Sequence, residues 1–273
     1  MGYGLLKGKR GVIFGALDDD SIATQVAKKA MEEGAEIVLT NAPVAFRFGK
    51  IQTLASDLGV EAIPADATSV KDLQNLFIQA VEILGGKIDF VLHSIGMSLN
   101  IRKNKPYFDL NYDYMQKTYD ISAISFHKMM QVAYKQDALS DWGSIVALTY
   151  IAADRTFPFY GEMAEAKAIL ESYARSFGYH LGVNKKIRVN TVSQSPTLTK
   201  AGSAVKGFKE FFEYSDKMSP LGNADAEACG EYCVTLFSDL TKMVTMQNLY
   251  HDGGFSKMGM NPGIMTGETR WVS

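Results

Sequence analysis

Short apolar runs alternate along the chain with longer stretches in which apolar residues recur at helical spacing. Seven runs rich in β-branched residues predict strands at Gly11–Phe14, Glu36–Thr40, Glu61–Pro64, Ile88–Leu92, Ser144–Thr149, Ile187–Val192 and Gln247–Tyr250. Six intervening stretches predict helices at Ser21–Glu33, Lys50–Leu58, Val70–Leu84, Tyr112–Lys135, Pro158–Leu181 and Ala226–Ser238. Several strand candidates are continuously apolar, which is typical of strands covered on both faces. This alternation predicts an α/β fold with a doubly wound, mostly seven-stranded parallel sheet.

One segment interrupts the alternation of strands and helices. Ser193–Asp225, between the sixth strand and the last helix, is rich in Ser, Thr, Lys and Phe. A long excursion in a compact domain is usually a lid or a binding loop. We therefore predict one domain over residues 1–273 with a helical substrate lid at about residues 194–225. Short helices are expected within the lid at Ala201–Val205 and Lys206–Lys217.

Composition and charge exclude several classes of protein. The 273 residues carry a net charge of -2, with 21% charged and 47% hydrophobic positions, which is ordinary globular composition and lacks the basic field of a nucleic-acid binder. No apolar run is long enough to span a membrane, and Lys7 and Lys9 follow the short apolar start instead of preceding it, unlike a secretory signal. Cys229 and Cys233 favour two small buried side chains over a zinc site. We expect a soluble cytoplasmic protein without a metal.

The segment after the first strand has features of a dinucleotide site. A strand, then Gly15, then a helix beginning near Ser21 would present free backbone N–H groups and the positive end of the helix dipole to a pyrophosphate. The G-x-G-x-x-G fingerprint is absent apart from Gly15, so Ser21 acting only as a helix cap explains this segment equally well. Further strand ends meet at the same edge in a Rossmann-like fold. The cofactor contacts predicted there are Gly15, Ala16, Ser21, Ile22, Asp66, Ala67, Ser94, Ile95 and Gly96.

The choice of cofactor depends on the segment after the second strand. It reads Thr40-Asn41-Ala42-Pro43, with neither an acidic residue for a ribose diol nor an immediate arginine for a 2′-phosphate. Arg47 is the nearest basic residue. This pattern favours NADH over NADPH.

A tyrosine and a lysine form the candidate catalytic pair. Tyr160 and Lys167 are seven positions apart in the predicted helix Pro158–Leu181, which is about two turns, so both are expected on one face. A tyrosine hydroxyl can donate to a developing oxyanion, and a nearby ammonium favours that anion. Because both residue types are common on helices, the spacing alone also fits a surface helix with an exposed lysine.

Several motifs together carry a family resemblance from Leu6 to about Met260. They are Gly15 with Ser21-Ile22-Ala23, His93-Ser94-Ile95-Gly96, Asp120-Ile121-Ser122, Ser125-Phe126, Tyr150 upstream of Tyr160 and Lys167, Arg188-Val189-Asn190 and Asp252-Gly253-Gly254-Phe255. The sequence resembles the NADH-dependent enoyl-acyl-carrier-protein reductase branch of the divergent short-chain dehydrogenase/reductase superfamily. Each motif is common by itself, but the combination is specific.

The resemblance implies a reaction and its residues. Hydride would pass from NADH to the β-carbon of a trans-2-enoyl thioester in type II fatty acid biosynthesis, on an acyl carrier protein, in a homotetramer. Tyr160 would donate to the thioester oxygen, Lys167 would hold the nicotinamide ribose, and Tyr150 would shape the pocket. Ile121, Lys167, Pro196, Thr197 and Thr199 join the implied cofactor contacts. The implied substrate contacts are Met97, Tyr150, Tyr160 and Met163.

Departures from related patterns leave two alternatives open. Carbonyl reductases of the superfamily keep Tyr-x3-Lys, whereas Met163 stands four residues before Lys167, which disfavours ketone reduction. Where the family reads Ala-Gly-Pro-Ile-x-Thr, this chain reads Gln194-Ser195-Pro196-Thr197-Leu198-Thr199. One alternative is a reductase of a carbonyl or a non-carrier enoyl substrate. The other is a non-catalytic dinucleotide-binding sensor, which has no need of a tyrosine hydroxyl.

The lid and its surroundings suggest how an acyl chain is held. Six apolar side chains are candidates for an acyl pocket: Phe157, Phe159, Met163, Phe208, Phe211 and Phe212. Lys206 and Lys209 could contact an acidic carrier protein, although a solvated helix face explains them equally well.

Overall fold

The central sheet has seven parallel strands, and the computed structural model describes residues 2–47, 50–199 and 207–267. The strands are β1 (Arg10–Phe14), β2 (Glu36–Asn41), β3 (Glu61–Pro64), β4 (Ile88–His93), β5 (Leu139–Thr149), β6 (Arg188–Gln194) and β7 (Asn248–His251). Their order is β3-β2-β1-β4-β5-β6-β7, and every adjacent pair is parallel. The strand order reverses between β1 and β4, which is where sheets of this kind bind ligands. The predicted doubly wound α/β fold is confirmed.

Helices cover both faces of the sheet. They are α1 (Ile22–Glu32), α2 (Pro43–Phe46), α3 (Lys50–Leu58), α4 (Val70–Ile83), α5 (Leu99–Arg102), α6 (Tyr112–Tyr119), α7 (Ser125–Lys135), α8 (Met163–Lys185), α9 (Phe208–Met218), α10 (Ala226–Phe237) and α11 (Pro262–Thr266). One buried core lies under α4, α7 and α8, and the other lies under α1, α3 and α10. Cys229 and Cys233 are buried in the second core as free thiols. Both faces are therefore apolar, which explains the continuously apolar strands.

The predicted strand Ser144–Thr149 is longer than its sequence pattern indicates. β5 begins at Leu139, and its first part pairs with β4 only through Leu139 and Ile88 before the register shifts. Trp142 in this part has a φ of 61° and is exposed, so the alternation of a regular strand is lost there. The irregular start therefore carried no strand signal in the sequence.

The predicted helix Tyr112–Lys135 is interrupted by one turn of π-helix at Asp120–Ile124, between α6 and α7. The wider turn places Ser122 against the loop after β4. There its hydroxyl accepts from Met97 N at 3.0 Å and lies 3.2 Å from Met97 O. Insertions of this kind are frequent at functional sites. Here the π-turn fixes the backbone at the carboxyl end of β4.

The predicted start of the helix Pro158–Leu181 is wrong, because α8 begins at Met163. Gly161 has a φ of 48°, in the left-handed region that interrupts a right-handed helix. Tyr160 therefore lies in the preceding turn, where its carbonyl accepts from Met163 N at 3.2 Å. Tyr160 and Lys167 therefore do not lie on two turns of one helix. The turn before α8 sets the position of Tyr160 relative to Lys167.

The lid is partly described. Helix α9 (Phe208–Met218) confirms the expected helix at Lys206–Lys217 apart from its first residues, whereas the one at Ala201–Val205 lies outside the described residues. Within the described ranges, no helix is long and apolar enough to cross a bilayer. No group of three His, Cys, Asp or Glu side chains in the same ranges is arranged to hold a metal ion.

Candidate active site

A cavity of about 1010 Å³ opens at the carboxyl ends of β1, β4, β5 and β6, beneath α9. It brings together most of the residues singled out from the sequence: Gly15, Ser21, Ile22, Ser94, Ile95, Gly96, Met97, Tyr150, Tyr160, Met163, Lys167, Pro196, Thr197 and Thr199. These residues come from six separate segments of the chain. The meeting of the strand ends at the switch point accounts for their convergence.

Four predicted cofactor contacts lie outside the lining of this cavity: Ala16, Asp66, Ala67 and Ile121. Ala16 is fully buried, so its side chain belongs to the core. The Asp66 carboxylate accepts from Thr68 N and from Thr68 Oγ1, each at 2.8 Å, and so stabilises its own turn. The role of these four residues in cofactor binding stays a prediction.

Gly15 allows the ends of β1 and β4 to approach closely. Its φ is 97°, and a Cβ atom at this position would lie 2.1 Å from Ser94 O. Gly15 N donates to Thr40 O at 3.0 Å, which fixes the turn to β2 as well. No side chain larger than that of glycine fits here. The backbone around Gly15 is therefore a rigid part of the cavity wall.

Ser21 is at the cap position of α1, but its side chain makes no capping hydrogen bond. The hydroxyl donates to Asp18 O at 3.0 Å and lies 2.7 Å from Thr24 Oγ1. Ser21 therefore occupies the cap position without a side-chain cap, and its role in cofactor binding stays a prediction. The amides at the start of α1 keep the polarity that suits an anion. Asp19, which could oppose an anion here, is exposed and pairs with Lys28 at 2.9 Å.

Lys167 lies within the sheet-side wall of the cavity. It is buried, and its Nζ donates to Leu148 O at 2.9 Å. Burial lowers the pKa of Lys167 to about 8, and the negative charge of Glu171 acts in the opposite direction. Nζ also lies 3.8 Å from the position that a Cβ on Gly96 would occupy. The ammonium is thus held beneath the loop after β4, where a ribose could reach it.

Two tyrosines also line the cavity. The rings of Tyr150 and Tyr160 have centroids 5.2 Å apart, and Phe157 and Phe211 pack against Tyr150. Burial raises the pKa of both phenols, so both hydroxyls are protonated donors at neutral pH. The Tyr150 hydroxyl is buried and has no hydrogen-bond partner among the described residues. The turn before α8, and not a shared helix face, therefore places Tyr160 in the same cavity as Lys167.

Gln194 and Ser195, which differ from the family pattern, connect the end of β6 to the last part of the lid. Gln194 Nε2 donates to Ala224 O at 2.9 Å, and Gln194 Oε1 lies 2.6 Å from His251 Nδ1. Ser195 Oγ accepts from Ala224 N at 3.0 Å. The pair Gln194-Ser195 thus fixes the point at which the lid rejoins the domain, while Pro196 and Thr197 line the cavity.

Sequence reasoning missed several residues at the site. Further lining residues are Leu17, Ser98, Ile101, Arg102, Thr156 and Tyr214. Glu162 is fully buried beside the Tyr160 turn, although nothing in the local pattern distinguishes it from a surface glutamate. His93, which the sequence analysis named only as part of a motif, is buried as well, with Nε2 2.9 Å from Ser125 Oγ, and burial lowers the pKa of His93 to about 3. This histidine is therefore neutral and supports the core.

The site and fold match known enzymes over nearly the whole chain. A family model described as Enoyl-(Acyl carrier protein) reductase matches residues 15–256. The chain is 37% identical over 260 residues to Enoyl-[acyl-carrier-protein] reductase [NADH] 1 of Rhizobium meliloti (strain 1021), covering 94% of this chain and 93% of that relative. It also superposes on the crystal structure of a FabI-NADH complex from Alistipes finegoldii with a TM-score of 0.93 and 63% identity, covering 94% of this chain and 91% of that one. The chain belongs to the enoyl-(acyl carrier protein) reductase family, within the short-chain dehydrogenase/reductase superfamily.

Proposed function

We propose that this protein is an NADH-dependent enoyl-acyl-carrier-protein reductase of fatty acid biosynthesis, which reduces the double bond of a trans-2-enoyl thioester. The observation that carries this proposal is the presence of one buried lysine and two protonated phenols around a single cavity. NADH and the acyl carrier protein appear in the names of the relatives, and the NADH complex is that of a close structural neighbour.

The cavity suits a nicotinamide dinucleotide at its sheet-side wall. The backbone at Gly15, the start of α1 without a side-chain cap, and the backbone at Gly96 would hold the cofactor's polar groups. Lys167 would donate to a ribose hydroxyl. When bound there, NADH supplies the hydride that reduces the β-carbon. Ala16, Asp66, Ala67 and Ile121 extend this binding site beyond the cavity in our proposal.

The phenols act on the developing negative charge of the substrate. As the β-carbon is reduced, charge builds on the thioester oxygen as an enolate. Tyr160 donates a hydrogen bond to that oxygen, and the Lys167 ammonium adds a positive field at low effective dielectric. Tyr150 donates to the same oxygen or to a water that carries a proton to the α-carbon of the enolate, which completes the reduction of the double bond. Met97 and Met163 contact the acyl chain.

The lid side of the cavity receives the rest of the substrate. Phe157 and Phe211 form an apolar surface next to the phenols, and Phe208 and Tyr214 extend it along α9. Lys209 is exposed on α9 and Arg102 lines the cavity, so both could face an acidic carrier protein, whereas Lys206 lies outside the described residues. We propose further that residues 1–273 form one domain with a lid at about 194–225, and that it assembles as a homotetramer.

Two alternatives are less well supported. A carbonyl reductase of the superfamily would require a hydroxyl at position 163, but Met163 is buried there and has no proton to donate. A sensor that only binds dinucleotide would not need two buried phenols, one of them without a hydrogen-bond partner among the described residues.

The proposal is tested by following oxidation of NADH with a crotonyl thioester and with an enoyl chain on acyl carrier protein. We expect Lys167→Ala to lower kcat/KM by about 1000-fold and Tyr160→Phe to lower kcat by about 100-fold. Lys135→Ala, at the exposed end of α7, is the control and should match wild type. Binding of NADH without turnover in wild type would support the sensor. Turnover of ketones with no turnover of enoyl thioesters would support the carbonyl reductase.

A further inference from the structure

A carboxylate without an assigned role lies directly behind the Tyr160 turn. Glu162 is two residues after Tyr160 and one before α8, and its side chain is fully buried. The left-handed Gly161 separates the two residues, so the backbone reverses sharply between the phenol and the carboxylate. Burying a carboxylate is costly unless hydrogen bonds compensate for the lost water. A glutamate at this place requires an explanation.

Three donors converge on one oxygen of Glu162. Ser98 Oγ donates to Oε1 at 2.8 Å, Asn100 Nδ2 donates to it at 3.2 Å, and Thr118 Oγ1 lies 2.7 Å away. The other oxygen, Oε2, is buried and has no partner among the described residues. The carboxylate is therefore held at one oxygen by residues from two other segments of the chain.

Those partners are connected to the cavity and to each other. Ser98 lines the cavity and caps α5, because its Oγ also accepts from Ile101 N at 3.0 Å. Asn100 exchanges two hydrogen bonds with the backbone of Asn111, and Asn111 caps α6. Glu162 thus connects the Tyr160 turn with the loop after β4 and with α6. Glu162 therefore ties the turn that carries Tyr160 to two other segments beside the cavity that Tyr160 and Lys167 both line.

We propose that Glu162 is a positioning residue for the reductase reaction and acts through Tyr160. This inference rests on the function proposed above. An apolar residue at this position would fill the space at no desolvation cost, but Ser98 would lose its acceptor. Asn100 and Thr118 would keep only their bonds to Asn111 O and Tyr114 O, which do not reach the Tyr160 turn. Three convergent hydrogen bonds fix both the distance and the angle of the turn, which packing of a methyl group does not.

The first arm of the test separates positioning from general stability. Glu162→Ala removes the acceptor, and Glu162→Gln keeps an oxygen for the three donors. We expect Glu162→Ala to lower kcat by up to about 100-fold, the scale of a misplaced catalytic group, with the Kd for NADH within about twofold of wild type. Glu162→Gln should restore kcat to within about threefold. Glu165→Gln is the matched control, because Glu165 is a carboxylate on the next part of α8 that bonds Tyr107 instead.

Thr118→Val serves if Glu162→Ala does not fold, because it removes one of the three contacts with little change in shape. A loss of NADH affinity equal to the loss of kcat would overturn the proposal and make Glu162 a stability residue. So would equal losses in Glu162→Gln and Glu162→Ala. Full activity in a folded Glu162→Ala protein would overturn it as well.

The second arm asks whether the effect passes through Tyr160. In a Tyr160→Phe background, adding Glu162→Ala should lower kcat by less than about twofold, because residues that act as a unit are not additive. Multiplication of the two losses would overturn the proposal. The nuclear magnetic resonance signal of isotope-labelled tyrosine Cζ, assigned with Tyr160→Phe, should shift in Glu162→Ala and stay in place in Glu165→Gln. That signal decides the positioning claim even if wild type shows no turnover, so the two proposals can fail separately.

Discussion

The two walls of the cavity are built from different interactions. The sheet-side wall is fixed by directional hydrogen bonds: Gly15 N to Thr40 O, Lys167 Nζ to Leu148 O, and Met97 N to Ser122 Oγ. On the lid side, the ring of Phe211 packs against the rings of Tyr150 and Phe157. Hydrogen bonds join α9 to the loop that follows it, from Asn223 Nδ2 to Phe212 O at 2.9 Å, and to Asn261, whose Nδ2 donates to Lys217 O.

This difference matches two different demands on the cavity. A cofactor and a thioester oxygen have to meet at fixed distances, which directional bonds to backbone provide. An acyl chain varies in length and carries no polar group to recognise, so ring contacts, which have weak angular preference, are sufficient to cover it. We therefore expect changes in the sheet-side wall to affect cofactor binding and folding together, and changes in the lid to affect the substrate alone.

Among the tests of this difference between the walls, the largest effect is expected from Gly15→Ala. Its Cβ would lie 2.1 Å from Ser94 O at a φ of 97°, so the ends of β1 and β4 have to separate. We expect the free energy of unfolding to fall by about 3 kcal/mol and NADH affinity to fall at least about tenfold. Urea denaturation and fluorescence titration with NADH measure both. Gly59→Ala is the matched control, with a φ of 67° and no atom within 4 Å of the added Cβ, and should cost only about 1 kcal/mol. Equal losses in the two variants would contradict the rigid wall.

A smaller and more selective effect is expected from Phe211→Ala. Removal of this ring opens the lid-side surface next to Tyr150 and leaves the hydrogen bonds of the sheet-side wall intact. We expect KM for a long-chain enoyl thioester to rise about tenfold while the Kd for NADH changes by less than about twofold. Steady-state kinetics with short and long thioesters provide the measurement. Glu213→Ala, exposed on the same helix, controls for damage to α9. If NADH affinity fell as much as substrate affinity, the two walls would not be separable.

The smallest effect is expected from a change of pH, and it concerns Lys167. Burial lowers its pKa from 10.5 to about 8, and the protonated form is the active one, so kcat/KM should fall to about half at pH 8. The contribution of Lys167 to the free energy of unfolding should instead increase as the pH rises. Between pH 8 and 10.5 the unfolded chain binds more protons at this lysine than the folded protein, so this group makes the free energy of unfolding rise with pH. Lys167→Met should abolish this contribution to stability, and an unchanged slope would contradict the assignment.

The sheet could be predicted because its strands are apolar on both faces and bounded by polar turns. The candidate Glu61–Pro64 agrees with β3 residue for residue, and Lys50–Leu58 does so with α3. Most cavity residues were also predictable, since strand ends in a parallel sheet meet at one edge. Gly15, Gly96 and Pro196 all lie at that edge, although the usual glycine fingerprint is missing.

The turn before α8 could not be predicted from spacing. A Tyr and a Lys seven residues apart fit a helix, and only the left-handed backbone of Gly161 excludes it. The role of Glu162 was equally hidden, because its partners lie 44, 62 and 64 positions away along the chain. Burial of a charged residue by such distant contacts leaves no local pattern. Asp66 differs, because its side chain bonds Thr68, only two positions away, and lies outside the lining of the cavity.

The buried Tyr150 hydroxyl favours apolar ligands that carry a hydrogen-bond acceptor over those that lack one. A bare hydrocarbon, such as a detergent tail or an alkane, could fill the apolar lining but would leave this buried donor unpaired. A molecule that brings a carbonyl oxygen to the same depth supplies the acceptor that the described residues do not provide. The difference is about 1–3 kcal/mol, or roughly five- to 150-fold in affinity. The Tyr150 phenol therefore favours binding of acyl thioesters over hydrocarbon chains of the same length that lack a carbonyl group.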